Sequence, residues 1–332
     1  MMKLSTLWAL DRTVDPATGR SPVADAVAAN WDHDPGTVRF FRSSANFLYT
    51  LERNGCRAYL RIAAASERAQ PEIAAEVALL DRLHRGDLPV VQALPDRTGE
   101  LVVTRDTAIG PVHAVLFDRL PGRHRDLDEL SLVDVKAWGA AVGRLHLAMK
   151  DAPASCHHKV PSWRAAFDAV DAGTVSVPDP VRRESRRLQA FLRDIPVTPD
   201  TYGLLHGDLE LDNLAWDGDA IATLDFDEYG HGWYLLDLAK ALTDPLRAGD
   251  TLASPRIVSF VAGYRRHHPL DDGLLACLPG FLALSEFRSY VALARAIDVD
   301  GADAGTGWLR DLIRRLRGWM HAYERGLERP GP

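Results

Sequence analysis

Apolar and polar residues alternate with a period of two in several short runs of the first 120 residues, which is the pattern of half-buried strands. Three such runs follow one another closely, at residues 38–41, 47–52 and 57–62. An Arg-Asn-Gly triplet at residues 53–55 separates the last two runs and indicates a tight turn. Further strands are predicted near Leu94 and at residues 100–105 and 112–118. The pattern therefore predicts an antiparallel meander in the first part of the chain.

Elsewhere apolar residues recur every three or four positions, as they do on the buried face of a helix. One such stretch, residues 71–84, has Pro71 at its start and an Arg-Gly stop signal after it. Beyond residue 120 this period dominates. The predicted helices there cover residues 132–149, 182–192, 233–239, 257–267, 274–296 and 309–327, and a short helix at 23–31 precedes the strands. Strands first and helices later indicate an α+β protein with segregated layers.

The segment from residue 204 to residue 238 is dense in side chains that can carry out chemistry. It contains a His-Gly-Asp triplet ending at Asp208, then Asn213, an Asp-Gly-Asp turn at 217–219, and an Asp-Phe-Asp triplet that begins at Asp225. Two strands joined by that turn would bring Asn213 and Asp225 side by side. Phosphoryl transfer needs a carboxylate that orients a hydroxyl, oxygen ligands for Mg²⁺, and cations on the phosphates. Asp208 fits the first role, and Asn213 and Asp225 fit the second.

These residues resemble the aminoglycoside phosphotransferase and choline kinase-like superfamily of small-molecule kinases. Its hallmark is His-Gly-Asp-x-x-x-x-Asn followed by an Asp on the next strand, and the weaker resemblance extends from about Val38 to the last helices. The resemblance implies a bilobal protein-kinase-like fold. Residues 1–119 would form a nucleotide-binding lobe, an antiparallel sheet with one helix, and residues 120–332 a larger, mostly helical catalytic and substrate-binding lobe.

The resemblance also implies a role for each matching residue. Asp208 would be the catalytic base, Asn213 and Asp225 would hold Mg²⁺ or Mn²⁺, and ATP or GTP would be the co-substrate. Support of the catalytic loop falls to His206 and Asp237. The predicted nucleotide-binding residues are Ser43, Ser44 and Asn46 in the first strand connection, Arg61 with Glu76, and Phe117, Asp118 and Leu120 at the hinge between lobes. The candidate substrate contacts are Glu210, Asp212, Asp227 and Glu228.

The cation that binds the nucleotide phosphates must be an arginine, because the chain has no lysine between Lys3 and Lys136. Arg61 lies on the third predicted strand, where the family carries lysine, and Glu76 follows on the next helix. Arg68, in the loop between them, is the alternative. Arginine binds phosphate with a planar fork and keeps its charge, so it can replace lysine without being geometrically equivalent.

Two classes of function fit these observations. The first is a small-molecule kinase whose acceptor is an aminoglycoside or another antibiotic, a sugar, an amino acid such as homoserine, or an amino alcohol such as choline. The acidic residues near the centre favour a cationic or polyhydroxylated acceptor. The second is a catalytically silent nucleotide-binding module of the same fold, suggested by the missing glycine-rich loop and the missing lysine. The three residues Asp208, Asn213 and Asp225 argue for the enzyme.

Composition limits the partners. The chain of 332 residues has a formal net charge of −7, which disfavours a protein built to bind nucleic acid or an anionic membrane. Its three cysteines are far apart in sequence and indicate a reducing compartment. No secretory signal or membrane span is readable. We therefore expect a cytoplasmic monomer or homodimer.

Overall fold

The computed structural model of the protein describes residues 1–43, 45–153, 156, 162–299 and 307–328. Ser44, one of the predicted nucleotide-binding residues, lies outside the described residues. No helix in these ranges is both long enough and apolar enough to cross a membrane.

The first part of the chain forms the predicted antiparallel sheet, whose central strand β3 is paired on both edges. The sheet order is β1-β2-β3-β6-β4, and β5 also pairs with β6. The strands are β1 (Arg39–Ser43), β2 (Phe47–Arg53), β3 (Cys56–Ala64), β4 (Ala93–Leu94), β5 (Val103–Thr107) and β6 (Gly110–Phe117).

Alternation along β3 gives the sheet two different faces. Leu60 and Ile62 are buried on one face, whereas Ala63 contributes to the core on the other. The predicted helix α3 (Gln70–Arg85) packs its apolar residues into the same core as Ala63. Arg61 stands between Leu60 and Ile62 in sequence, so its side chain points to the opposite face of the sheet, where it pairs with Glu76 of α3.

The resemblance implied an antiparallel sheet with one helix, and the sequence pattern added a short helix at residues 23–31. Two helices precede the sheet: α1 (Leu4–Asp11), which was not predicted, and α2 (Pro22–Ala28), which corresponds to the helix at 23–31. Their buried residues, including Leu7 and Leu10, join the core that contains Leu60 and Ile62. These helices are needed because the far face of the sheet is apolar and α3 covers only the near face.

The second part of the chain is mostly helical, as predicted, and holds two small two-stranded sheets, of which only the pair joined by the turn at residues 217–219 was predicted. Strand β7 (Tyr202–Leu205) pairs with β10 (Gly230–Trp233), and β8 (Leu214–Asp217) pairs with β9 (Ala220–Thr223). The helices are α4 (Leu132–Lys150), α5 (Ala165–Asp171), α6 (Asp179–Arg193), α7 (Tyr234–Ala241), α8 (Thr243–Arg247), α9 (Pro255–Tyr264), α10 (Asp272–Leu275), α11 (Leu278–Ala296) and α12 (Gly307–Glu328). The predicted helix 274–296 is thus two helices. Pro279 stands in the first turn of the second, where its missing N–H costs nothing.

Helix α12 contacts both cores. Leu309 and Ile313, near its start, are buried with the residues of α1 and α2. Trp319 and Tyr323, further along, pack against the core of the helical part. The last described helix therefore connects the apolar face of the sheet to the helices that surround the catalytic segment.

Candidate active site

The predicted catalytic loop, residues 206–213, follows strand β7. Its backbone is hydrogen-bonded to Asp237, in the first turn of α7. The Asp237 carboxylate accepts the backbone N–H of His206 at 2.8 Å and that of Gly207 at 2.9 Å. Burial by itself would raise the pKa of Asp237, but its hydrogen bonds and the nearby His146 hold that pKa below its ordinary value. Asp237 is therefore a buried anion that fixes the loop backbone.

A residue that sequence reasoning did not identify supports Asp237 from behind. His146 of α4 is fully buried, with Nε2 3.0 Å from the Asp237 carboxylate and Nδ1 2.9 Å from the Tyr264 hydroxyl. His268 lies 3.0 Å from the same hydroxyl. The available signal was His146 itself, a polar residue on the apolar face of a predicted helix. Buried polar groups need such partners.

His206 packs within the loop. Its Nε2 lies 2.8 Å from the Leu224 carbonyl oxygen, and its Nδ1 accepts the backbone N–H of Asp208 at 3.3 Å. Because Nδ1 accepts, Nε2 is the ring nitrogen that donates to the Leu224 carbonyl oxygen. The ring also lies 4.4 Å from that of Phe226. His206 thus connects the catalytic loop to the segment that carries Asp225.

The glycine of the His-Gly-Asp triplet is required by both conformation and space. Gly207 has φ of +88°, in the region that side chains rarely adopt, and a Cβ built there would lie 2.1 Å from the carbonyl oxygen of Glu228. The chain at residues 206–208 therefore runs directly against the segment after Asp225. Only glycine allows this approach.

Asp208 is held by two side chains. Asn213 Nδ2 donates to the Asp208 carbonyl oxygen at 2.7 Å and to Asp208 Oδ2 at 3.1 Å. Lys240 Nζ donates to Asp208 Oδ1 at 3.0 Å. Burial raises the pKa of Asp208, but the Lys240 ammonium and these hydrogen bonds outweigh burial and lower it. The structure therefore presents an ionised carboxylate at the position predicted for the base.

Lys240 was missed by the sequence analysis. It stands three residues after Asp237, so both lie on the same side of α7, which faces the catalytic loop. Its ammonium also donates to Glu210 Oε1 at 3.1 Å. That helical spacing was the signal that could have identified it.

The turn at residues 217–219 brings Asn213 and Asp225 together. In the β8–β9 pair Leu214 faces Thr223, and the Leu224 N–H donates to the Asn213 carbonyl oxygen at 2.9 Å. Asp225 follows with φ of 60°, a left-handed conformation that is strained for a residue other than glycine. Such a strained backbone conformation persists only where surrounding contacts fix it, and it is common at functional sites.

These residues fit a divalent cation that is completed by phosphate oxygens. The Asn213 amide nitrogen is turned to Asp208, which leaves its oxygen as a ligand, and Mg²⁺ commonly takes only one or two protein carboxylates. Within the described ranges, no group of three or more His, Cys, Asp or Glu residues could enclose a metal. Acidic groups are crowded here: burial and the neighbouring Asp225 raise the pKa of Asp227 well above its ordinary value, so Asp227 binds a proton more readily than a free aspartate.

The connection between β1 and β2 lies over this centre. Asn46 Nδ2 donates to Asp227 Oδ2 at 2.8 Å, and Arg42 Nη2 lies 3.6 Å from Asp225 Oδ2. Ser43 is the last residue of β1 and pairs with Phe47. Arg42, like Lys240, is a cation in the site that sequence reasoning did not identify, and it lies near the predicted metal ligand Asp225.

Behind this loop, Arg61 and Arg68 share one carboxylate. Arg61 donates to both oxygens of Glu76, at 2.7 Å and 2.9 Å, and Arg68 Nη1 donates to Glu76 Oε2 at 2.9 Å. Burial raises the pKa of Glu76, yet the two guanidinium groups hold it below its usual range. The Arg61 guanidinium also lies 4.9 Å from the centre of the Phe117 ring. The two arginines considered as rivals therefore belong to one cluster.

The predicted hinge residues lie at the end of β6. Phe117 pairs with Tyr59 and Ala93, and the Asp118 carboxylate accepts the Gln92 backbone N–H at 2.8 Å. Leu120 follows and is half-buried. These residues lie where the sheet gives way to the helical part of the chain.

The four candidate substrate residues have different contacts. Glu210 lines a cavity of about 220 Å³, whereas Asp227 contacts Asn46. Glu228 lies 3.6 Å from the amino-terminal nitrogen of the chain, and Asp212 is exposed. The walls of the cavity include Glu210, Lys240, Arg247, Ser285, Glu286 and Trp319.

Comparison with known proteins identifies the family. A model of the phosphotransferase enzyme family matches residues 37–270, which include the sheet, the catalytic loop and helix α7. The chain belongs to the phosphotransferase enzyme family. The predicted superfamily and the prediction of an enzyme that transfers phosphoryl groups are confirmed.

Two proteins that are named as small-molecule kinases are similar to this chain along most of its length. The chain is 25% identical to amicoumacin kinase of Bacillus subtilis (strain 168), over 82% of this chain and 84% of that protein. It is 29% identical to homoserine kinase of Pseudomonas aeruginosa (strain UCBPP-PA14), over 71% of this chain and 75% of that protein. Similarity of this extent covers most of the chain.

Solved structures of this phosphotransferase family confirm the predicted fold class. An amicoumacin kinase in complex with AMP-PNP, Ca²⁺ and Ami superposes with a TM-score of 0.73 at 23% identity, over 90% of this chain and 92% of that one. A microcompartment-associated aminopropanol kinase gives a TM-score of 0.69 at 25% identity, over 91% of this chain and 96% of that one.

Proposed function

We propose that this phosphotransferase is a small-molecule kinase that transfers the γ-phosphoryl group of ATP or GTP to an alcohol group. One observation carries the proposal: the Asp208 carboxylate is held in place by Asn213 and Lys240, and Lys240 lines an adjacent cavity of about 220 Å³. The cavity is smaller than the roughly 300–1,000 Å³ of pockets for drug-sized ligands, so it could enclose only a small acceptor or part of a larger one.

Each group of residues has a part in the reaction. The acceptor hydroxyl donates to Asp208, which orients its oxygen and takes its proton. A bond forms between that oxygen and the γ-phosphorus as the bond from the γ-phosphorus to the bridging oxygen breaks. The electron pair of the broken bond leaves with the nucleoside diphosphate. Asp237 keeps the loop in position through the backbone of His206 and Gly207.

Asn213 and Asp225 are the residues that would hold a divalent cation, Mg²⁺ or Mn²⁺. When bound, the cation neutralises charge on the phosphate oxygens. The AMP-PNP and Ca²⁺ bound in the amicoumacin kinase structure support a nucleotide and a divalent cation as ligands of this fold. Arg61 and Arg68, both paired with Glu76, supply positive charge for the nucleotide phosphates. Ser43 and Asn46 would contact the same phosphates, and Phe117, Asp118 and Leu120 would contact the base.

The acceptor that we favour is an alcohol that also carries an amine. Glu210 and Glu286 place two carboxylates on the cavity walls, and burial raises the pKa of Glu286 above its ordinary value. An ammonium group would compensate that burial. The related amicoumacin, homoserine and aminopropanol kinases support testing amine-bearing acceptors first.

The test is a transfer assay with γ-labelled ATP and GTP, Mg²⁺, and a panel of amicoumacin, homoserine, aminopropanol, aminoglycosides and neutral sugars. We expect labelled phosphate on at least one amine-bearing alcohol. Binding of nucleotide with neither transfer nor hydrolysis would instead identify a catalytically silent nucleotide-binding module. Transfer to neutral sugars alone would retain the kinase and remove the amine from the proposal.

A further inference from the structure

Lys240 is the cation nearest to the predicted base in the hydrogen-bond network of the described residues. Its ammonium donates to Asp208 Oδ1 at 3.0 Å and to Glu210 Oε1 at 3.1 Å. Its side chain is only 14% exposed. Taking an ammonium out of water is costly unless it is paired, so these two carboxylates account for the charge being tolerated in this position.

The pairing does not use the whole ammonium. An ammonium group has three N–H donors, and contacts with described residues account for two of them. Lys240 also lines the cavity, together with Glu210. One donor is therefore left for a group that enters the cavity or the space above the catalytic loop.

The reacting atoms must come within reach of that donor. The acceptor hydroxyl would donate to the Asp208 carboxylate, which also accepts from the Lys240 ammonium. The hydroxyl oxygen and the ammonium nitrogen would therefore lie roughly 3–5 Å apart. During transfer that hydroxyl oxygen becomes bonded to the γ-phosphorus. The equatorial oxygens of the phosphoryl group then carry negative charge within range of the ammonium.

Resting on the proposed kinase function, we propose that Lys240 is a catalytic residue that donates to the transferring phosphoryl group beside Asp208. In the reaction the phosphorus–oxygen bond to the acceptor forms, the bond to the bridging oxygen breaks, and the hydroxyl proton passes to Asp208. Lys240 keeps its own proton throughout and stabilises the charge on the phosphoryl oxygens. Because α7 also carries Asp237, one helix would position both the loop and this cation.

The experiment compares Lys240→Met, Lys240→Arg and the matched control Lys150→Met. Methionine keeps the apolar stem and removes the charge, and Lys150 forms an ion pair with Asp200 elsewhere on the surface. Two rates are measured for each protein: transfer to the best acceptor of the panel, and slow hydrolysis of the nucleotide without acceptor. Nucleotide affinity and the thermal midpoint are measured as well.

We expect Lys240→Met to lower kcat by about 10²–10³-fold, as for loss of a donor to a developing anion. Hydrolysis should fall in parallel, because the phosphoryl contact does not depend on the acceptor. Nucleotide affinity should stay within about threefold of wild type, since the contact is made in the transition state. Lys240→Arg should recover part of the rate, and Lys150→Met should match wild type.

Three results would overturn the inference. Unchanged kcat in Lys240→Met removes Lys240 from the reaction. Loss of transfer with normal hydrolysis makes Lys240 an acceptor-binding residue only. If the rate falls only in proportion to the fraction of protein that still binds nucleotide, the role of Lys240 is structural. If the wild-type protein neither transfers nor hydrolyses, the proposed function fails first, and this inference fails with it.

Discussion

Arg61 and Glu76 form a two-hydrogen-bond ion pair between strand β3 and helix α3, with Nη1–Oε1 at 2.7 Å and Nη2–Oε2 at 2.9 Å. Glu76 is fully buried, and Arg68 contacts the same carboxylate at 2.9 Å. One buried carboxylate therefore holds two guanidinium groups in place.

We expect Arg61→Ala to raise the nucleotide KM and lower kcat, because it removes the better-buried of the two cations. Glu76→Ala should give a smaller defect that does not add fully to it, as for coupled partners in a double-mutant cycle. Urea unfolding should also show a loss of about 3–5 kcal/mol in Arg61→Ala, since a buried carboxylate loses its main partner. Arg57→Ala, an exposed arginine on the same strand, is the control. An unchanged Arg61→Ala beside a crippled Arg68→Ala would transfer the role to Arg68.

Asp208→Asn should lower kcat by about 10²–10⁴-fold while nucleotide binding survives. The amide keeps the shape and its contact with Asn213 but cannot accept the hydroxyl proton. Asp219→Asn, in the exposed turn between β8 and β9, is the matched control and should behave as wild type. Steady-state kinetics and nucleotide titration measure the two effects. Turnover of Asp208→Asn within a few-fold of wild type would exclude Asp208 as the base.

Activity should depend on Mg²⁺ or Mn²⁺ and disappear in excess chelator. Asp225→Ala should weaken binding of the metal–nucleotide complex as well as the rate, because a lost ligand acts on both. Calorimetric titration with and without Mg²⁺ separates the two terms. Asp217→Ala, an exposed aspartate at the end of β8, should leave the metal dependence unchanged. Full activity without a divalent cation would contradict the assignment of Asn213 and Asp225.

Gly207→Ala should damage catalysis more than Gly218→Ala. Both positions have positive φ, but a Cβ at 207 would meet the Glu228 carbonyl oxygen at 2.1 Å, whereas nothing lies within 4 Å of one at 218. The pair therefore separates steric displacement from conformational strain, which by itself costs about 1–2 kcal/mol. Displacement of the loop by about 1 Å can cost on the order of 10²-fold in kcat. Equal kinetics in the two variants would show that the contact with Glu228 has no catalytic importance.

Stability should fall as the pH drops below neutrality, in part because of His268. Burial and the nearby His146 lower the pKa of His268 to about 4 in the folded protein. An unfolded histidine titrates near about 6.5, so between these values the unfolded chain binds the proton first and gains stability relative to the folded one. The loss due to this group is complete once the pH is below the folded pKa.

His268→Asn should therefore flatten the decline in the unfolding free energy between about pH 6.5 and about pH 4.5. Urea denaturation at several pH values measures this slope. His84→Asn, at an exposed position of α3, should leave the slope as it is in wild type. An identical slope in His268→Asn and wild type would show that the buried ring already titrates normally.

Local patterns were sufficient for the elements and for the order of the motif. Alternation along β2 and β3 and the helical period of α3 and α4 reflect which face of each element is buried, so they can be read without a fold. The turn at 217–219 also placed Asn213 next to Asp225, because a hairpin register depends on nearby residues. By contrast, the pattern did not predict helix α1 or the break between α10 and α11, because both follow from packing that pattern alone does not describe.

The amino-acid order already determined the family, the α+β architecture and the set Asp208, Asn213 and Asp225, since these depend on short-range spacing. Only the tertiary structure decided which distant groups meet in the site: Lys240 at Asp208, His146 at Asp237, and Arg68 beside Arg61 on Glu76. It also separated the acidic residues, with Glu210 at the cavity and Asp227 at Asn46. The physical reason is that burial and charge pairing depend on contacts between residues far apart in sequence. Spacing along the chain does not indicate which of the many arginines, lysines and carboxylates will form ion pairs at the same buried position.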